Sequence, residues 1–84
     1  MGQKEKLIKR LRSVPKDMTF DEIETLLQYL DYVRSNKGKT SGSRVMFISA
    51  DHPPILLHKP HPRKELLEYQ IKQLIDVLKQ EGLL

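Results

Sequence analysis

Cysteine is absent from this 84-residue chain. Neither a disulfide framework nor a thiolate metal site can therefore supply stability, and the core must be assembled from Leu, Ile, Val, Phe and Met. Long apolar stretches are missing as well. The longest run, Val45-Met46-Phe47-Ile48, has four residues, and the opening MGQKEKLIKR contains no signal-like segment. A membrane span needs about 20 apolar residues, so the expectation is a cytoplasmic protein with no membrane partner. A chain of this size buries only about 60% of the surface its unfolded form exposes, which leaves room for one domain, residues 1–84, around one modest core.

Other absences limit the chemistry. Residues 17–33 contain no Lys or Arg, and residues 34–64 contain a single acid, Asp51. A lone carboxylate cannot hold the two ions of two-metal phosphoryl transfer. His52, His58 and His61 follow no established ligand spacing and have no thiolate help. No metal and no other cofactor is expected.

What the chain has instead is charge sorted into blocks. Residues 1–16 carry six basic groups against Glu5, residues 17–33 carry five acids, and residues 34–64 carry Arg34, Lys37, Lys39, Arg44, Lys59, Arg63 and Lys64 against Asp51. The first two blocks admit two readings: adjacent helices whose exposed faces attract one another, or a basic N-terminal helix that extends a nucleic-acid surface. The third block falls on strands and loops rather than on a solvated helix face, the footprint of a surface that meets phosphates. Lys37, Lys39, Arg44, Lys59, Arg63 and Lys64 are the expected phosphate contacts. Ser41 and Ser43 add hydroxyls and neighbouring amides in a Gly-containing turn. Contacts of this kind recognise RNA through shape and backbone without reading bases.

Periodicity supplies the elements. Leu7, Ile8 and Leu11 recur at helical spacing among basic residues, so Gln3–Ser13 reads as a short amphipathic helix ended by Pro15. Thr19 with Glu22 is a capping box, and Met18 with Ile23 is placed to form its hydrophobic staple. The second helix, from Phe20, buries Phe20, Ile23, Leu26, Leu27 and Leu30. A short strand is expected over Tyr32–Ser35, then a Gly/Ser/Lys loop, then Arg44–Ile48, in which Val45 and Phe47 point to one side and Arg44, Met46 and Ile48 to the other. The turn at residues 50–53 leads to a third strand, Ile55–His58, antiparallel to the second because so short a connection allows nothing else. From Leu66 onward Leu66, Leu67, Ile71, Leu74, Ile75 and Leu78 keep helical spacing. Pro60 and Pro62 delay the helix start to between Arg63 and Glu68, and Gly82 sits at a left-handed cap.

These stripes fit an α+β fold: a small three-stranded antiparallel sheet with helices packed on one face, its other face open. Residues 1–17 form an additional N-terminal helical extension, and residues 18–84 form the core.

From Thr19 onward the ordered elements, the Gly42-Ser43 turn entering the second strand, the His61-Pro62 segment and the closing Glu81-Gly82-Leu83-Leu84 resemble the HicA family. Its members are small toxins of bacterial toxin–antitoxin pairs that act on messenger RNA. The resemblance implies a fold similar to the double-stranded RNA-binding domain, endoribonuclease activity, an RNA substrate and a HicB-type antitoxin as partner. The family's Gly-Ser-His motif, whose His is catalytic, stands here as Gly42-Ser43-Arg44.

That difference matters chemically. Metal-independent RNA cleavage needs one group near neutral pKa to take the 2′-hydroxyl proton and another to protonate the leaving oxygen, and histidine suits both. Arg44 cannot be the base. It can neutralise charge on the phosphate, since its planar fork matches pairs of phosphate oxygens. The candidate catalytic residues are therefore Arg44, His58 and His61. His58 stands beside Arg44 if the strands pair as the short turn implies; its plainer reading is a partly buried histidine donating to a backbone carbonyl. His61 matches the family's His-Pro, against the reading of a residue that shapes the entry to the last helix. His52 is expected to be a solvated turn residue, and Tyr32 to pack rather than stack on a base. The alternative for the whole chain is a non-catalytic RNA- or protein-binding module on the same scaffold.

Overall fold

The structure, a computed structural model, describes residues 2–35, 44–60 and 64–84. The order is helix α1 (Gln3–Arg12), helix α2 (Phe20–Tyr29), strands β1 (Val33–Arg34), β2 (Arg44–Ile48) and β3 (Ile55–His58), and helix α3 (Glu68–Gln80). This is the expected α+β architecture, with an antiparallel sheet in the order β1-β2-β3. Among the described residues no helix is long and apolar enough to cross a membrane.

Local chemistry sets the helix ends. The Glu22 carboxylate accepts from the Thr19 N–H at 3.0 Å while the Thr19 hydroxyl accepts from the Glu22 N–H at 3.2 Å, which completes the capping box of α2. Met18 and Ile23, on either side of it, are both buried. At the far end of α2, Asp31 N–H donates to the Gln28 carbonyl and Tyr32 N–H to the Leu27 carbonyl. Helix α3 ends with the same paired bonds, Gly82 to Lys79 and Leu83 to Leu78. Both are Schellman motifs, which need a left-handed residue just past the helix. Gly82 adopts φ +74° and Asp31 adopts φ +69°. Helix α1 stops one residue earlier than expected, at Arg12, with Val14 at φ +48° ahead of Pro15.

The last helix begins at Glu68, the late limit of the expected range. Leu66 and Leu67, which the periodicity placed in the helix, lie before it. The Leu66 N–H is committed to the Met18 carbonyl at 2.9 Å, and the Phe20 N–H to the Lys64 carbonyl at 3.1 Å. This lacing, which includes a bridge between Thr19 and Glu65, holds the segment extended along the entry to α2. Leu66 is buried there, whereas Leu67 is exposed.

Val45, Phe47, Ile55 and Leu57 bury one sheet face against the α2 stripe (Phe20, Ile23, Leu26, Leu27, Leu30) and against Ile71, Leu74 and Leu78 of α3. Leu7 and Leu11 of α1 join the same core. Phe20 and Phe47 meet with ring centroids 6.1 Å apart and tilted by 39°, a favourable aromatic geometry. The opposite sheet face carries Val33, Ile48 and Leu56, all exposed.

Three ion pairs dispose of part of the charge sorting. Arg10 reaches Asp17 and Glu22, each at 3.0 Å. Burial works against its charge, but the hydrogen bonds and charges of Glu22 and Asp17 outweigh it, so its pKa is raised. Arg34 lies 3.6 Å from Glu24. It sits opposite Phe47 in the ladder and so leaves the sheet on the helical side. Arg34 therefore does not belong to a continuous cationic strip through residue 64; an acid of the preceding block ties it away from the open face.

Candidate nucleic-acid interface

Strand pairing brings Arg44 and His58 together. The register sets Arg44 opposite His58, Val45 opposite Leu57, Met46 opposite Leu56 and Phe47 opposite Ile55. Since side chains alternate and Val45, Phe47, Ile55 and Leu57 are committed to the core, Arg44 and His58 must share the open face. A slip of one residue would bury both and expose the core set.

Backbone polarity sharpens their proximity. The Ser35 N–H donates to the Met46 carbonyl at 2.8 Å, so Met46 and, by alternation, Arg44 turn their main-chain groups toward β1. The His58 carbonyl turns away from β2, because it accepts from Gln70 Nε2 at 2.8 Å. Arg44 and His58 thus form a non-hydrogen-bonded pair, the kind whose Cβ atoms approach to about 4.5–5.5 Å. Both side chains are exposed. A guanidinium and an imidazole side by side on an open sheet face can engage one phosphodiester, the first by charge-assisted hydrogen bonds and the second by proton transfer.

Gln70 was not visible as a site residue in the sequence. It is buried, and its Oε1 accepts from the Leu67 N–H at 2.9 Å while its Nε2 holds the His58 carbonyl. A Gln three residues after an N-cap is the capping-box signal, but with Leu at the N-cap position the signature is only half present. Beyond it a groove of about 470 Å³ opens between β3 and α3, with Arg44 and His58 at one side and Tyr69, Gln73 and Val77 on the helix.

Of the remaining expected contacts, Lys59 and Lys64 lie among the described residues. Lys59 continues past His58, but its Nζ lies 5.6 Å from the centroid of the Phe20 ring, a cation–π contact at the start of α2. Lys64 is exposed beside the same lacing. Lys37, Lys39, Ser41, Ser43, His61 and Arg63 lie outside the described residues.

His52 departs from its expected place in solvent. Its Nδ1 lies 2.9 Å from Glu81 Oε1, and its ring stacks on Tyr32 with centroids 6.1 Å apart. The turn folds back onto the end of α3, so this histidine is a tie between elements. Tyr32 is fully buried, as packing required, and its hydroxyl donates to the Pro53 carbonyl at 3.0 Å. Burial, with the nearby Glu81 carboxylate, raises the Tyr32 pKa. Among the described residues no three His, Asp or Glu side chains are grouped to hold a metal ion.

Residues 20–83 match the family described as HicA toxin of bacterial toxin-antitoxin. No curated protein and no solved structure gives a significant match. The matched span opens on the first residue of α2 and closes just past the α3 cap, so it contains the sheet, the Arg44–His58 pair and the groove and excludes α1. With well over half of its length matched, and with the helix-strand-strand-strand-helix order of the double-stranded RNA-binding-domain-like fold in that span, the chain belongs to the HicA family of bacterial toxin–antitoxin toxins.

Proposed function

We propose that this toxin binds messenger RNA at the open sheet face and cleaves it without a metal ion. Residues 18–84 carry the RNA surface as one domain with residues 1–17 as its extension, and a HicB-type antitoxin silences the toxin by covering that surface. The observation that supports cleavage most directly is the cross-strand placement of His58 beside Arg44. Arg44 clamps two phosphate oxygens and offsets the charge that develops on them. His58 accepts the 2′-hydroxyl proton as that oxygen attacks phosphorus, the bond to the 5′-oxygen breaks, and a cyclic 2′,3′-phosphate remains. His61 delivers the proton that the departing oxygen requires. Lys37, Lys39, Ser41, Ser43, Lys59, Arg63 and Lys64 hold the flanking backbone.

A labelled messenger RNA incubated with the purified protein in EDTA, beside the single His52, His58 and His61 alanine variants, tests the reading. Cleavage should persist in the chelator, survive His52→Ala and disappear with His58→Ala. A requirement for added metal, or undiminished cleavage by the His58 variant, defeats the mechanism. RNA binding should weaken steeply with salt, since each phosphate neutralised releases counterions.

Arg44 in place of the family's histidine favours a second reading, a module that binds RNA without cutting it. Cells expressing the chain alone would then grow normally with intact messenger RNA, while salt-sensitive binding remained.

A further inference from the structure

The groove beside the Arg44–His58 pair has a composition that phosphate binding alone does not explain. Its strand side is apolar, with Leu56 and Leu57, while Tyr69, Gln73 and Val77 line it from α3. These three recur at every fourth position, so they form one ridge along the helix. Tyr69 is 57% exposed although Ile71 and Leu74 of the same helix are buried. An aromatic face at a rim, an amide that both donates and accepts, an apolar floor and a cation at the mouth together suit a nucleobase attached to a phosphate.

A peptide strand added along the edge of β3 is the other occupant that such a groove suggests. The edge is blocked for it at His58. Gln70 Nε2 already donates to the outward-facing carbonyl of His58, at the point where a fourth strand would have to pair, and covering an edge in this way is a usual protection against strand addition. Charge agrees with the nucleotide, because Arg44 is among the residues that line the groove.

We infer that the groove between β3 and α3 receives one unstacked base of single-stranded RNA adjacent to the phosphate held by Arg44, with Tyr69 stacking on the base and Gln73 bonding its edge. The inference rests on the RNA-cleavage reading and extends it, since Tyr69 and Gln73 become the residues that set base preference in a protein whose other contacts are to the backbone.

Fluorescence anisotropy with single-stranded RNA oligomers of A, C, G or U separates the two. Replacing Tyr69 by Ala should weaken binding about 5- to 100-fold, the range of one lost base–aromatic stack, while Tyr69→Phe stays within about twofold of the parent. The slope of affinity against salt should be unchanged in both, because no phosphate contact is lost. Gln73→Ala should level the affinities across the four oligomers. If Tyr69→Ala binds every oligomer as the parent does while Arg44→Ala binds weakly and with a shallower salt slope, the groove is misassigned and the RNA reading survives. The groove is equally misassigned if Tyr69→Ala loses only a protein partner. If the parent shows no salt-sensitive RNA binding, the functional reading itself falls.

Discussion

The two ends of the β2–β3 hairpin each carry a histidine, and the molecule treats them oppositely. At the turn, His52 is stacked on buried Tyr32 and paired with Glu81, so its ring joins the turn to the end of α3. At the open end, His58 is exposed, and its main chain is set by the register with Arg44 and by the Gln70 bond to its carbonyl. A histidine whose side chain is spent on neighbours contributes to the fold. One exposed on the open face beside Arg44 has the position that the proposed cleavage requires. Residue type is the same; what differs is how far each is open to solvent.

The largest effect that can break this contrast is on cleavage. His58→Ala should lower the cleavage rate by about 10²- to 10⁴-fold, the usual contribution of a general base, and leave the unfolding free energy within about 0.5 kcal/mol, as expected at an exposed position. His52→Ala should do the reverse, costing about 1 kcal/mol for a lost partly buried hydrogen bond with cleavage per folded molecule unchanged. Paired cleavage assays and urea melts decide it. If both variants lose stability equally and neither loses activity, the two ends do not differ in role.

Gln70 offers the next test. Truncating it to Ala leaves the Leu67 N–H and the His58 carbonyl without their partner, a cost of about 1–3 kcal/mol. Because that partner anchors the open end, cleavage should fall as well, with the pH dependence of the rate keeping its shape since the base is untouched. A stability loss with no change in rate would show that the backbone anchor is irrelevant to His58.

Much of this was legible in the residues, and the exceptions share a cause. Binary alternation gave β2 and β3 to the residue, because a half-buried strand leaves period-two marks that nothing else mimics. The Arg44–His58 pairing followed from turn length and that alternation together. The fate of His52 did not, since it depends on Glu81, 29 positions away, and no local pattern announces such a contact. The setting of Lys59 was hidden for the same reason. Its charge suited phosphate, but the aromatic ring that attracts it belongs to α2. Leu66 and Leu67 kept the helical period and still stayed outside the helix, because main-chain pairing to Met18 took precedence over local propensity.

Tyr32→Phe probes the turn end with a smaller expected change. At neutral pH the loss of the bond to the Pro53 carbonyl should cost about 1 kcal/mol. In alkali the difference shrinks. The folded chain holds the phenol proton more tightly than the unfolded chain, since burial and Glu81 raise the Tyr32 pKa. The stability it adds is complete below the ordinary phenol pKa of about 10 and is lost as pH rises through the higher folded value. The gap between parent and Phe variant in urea midpoint should therefore close above pH of about 10. A gap that stays constant into strong alkali would mean that the phenol is not shielded as described.

The smallest effect concerns the residue that sets Tyr32 in place. Asp31 occupies the left-handed position of the α2 Schellman motif at φ +69°, the place Gly82 fills in α3 at φ +74°. An aspartate there carries two penalties: a side chain in a conformation that favours glycine, and a negative charge against the negative end of the helix dipole. Glycine removes both but loses more entropy on folding, so Asp31→Gly should stabilise by a net of about 0.5–1 kcal/mol. Asp31→Asn removes the charge alone and should recover roughly half of that. Tyr32 N–H donates to the Leu27 carbonyl within this same motif, so a tighter α2 end reinforces the turn end of the hairpin without reaching Arg44 or His58. Thermal melts should rise for both variants while cleavage stays level. A rise in stability accompanied by a fall in cleavage would show that the two ends communicate, and that the open end needs the slack that Asp31 leaves in the fold.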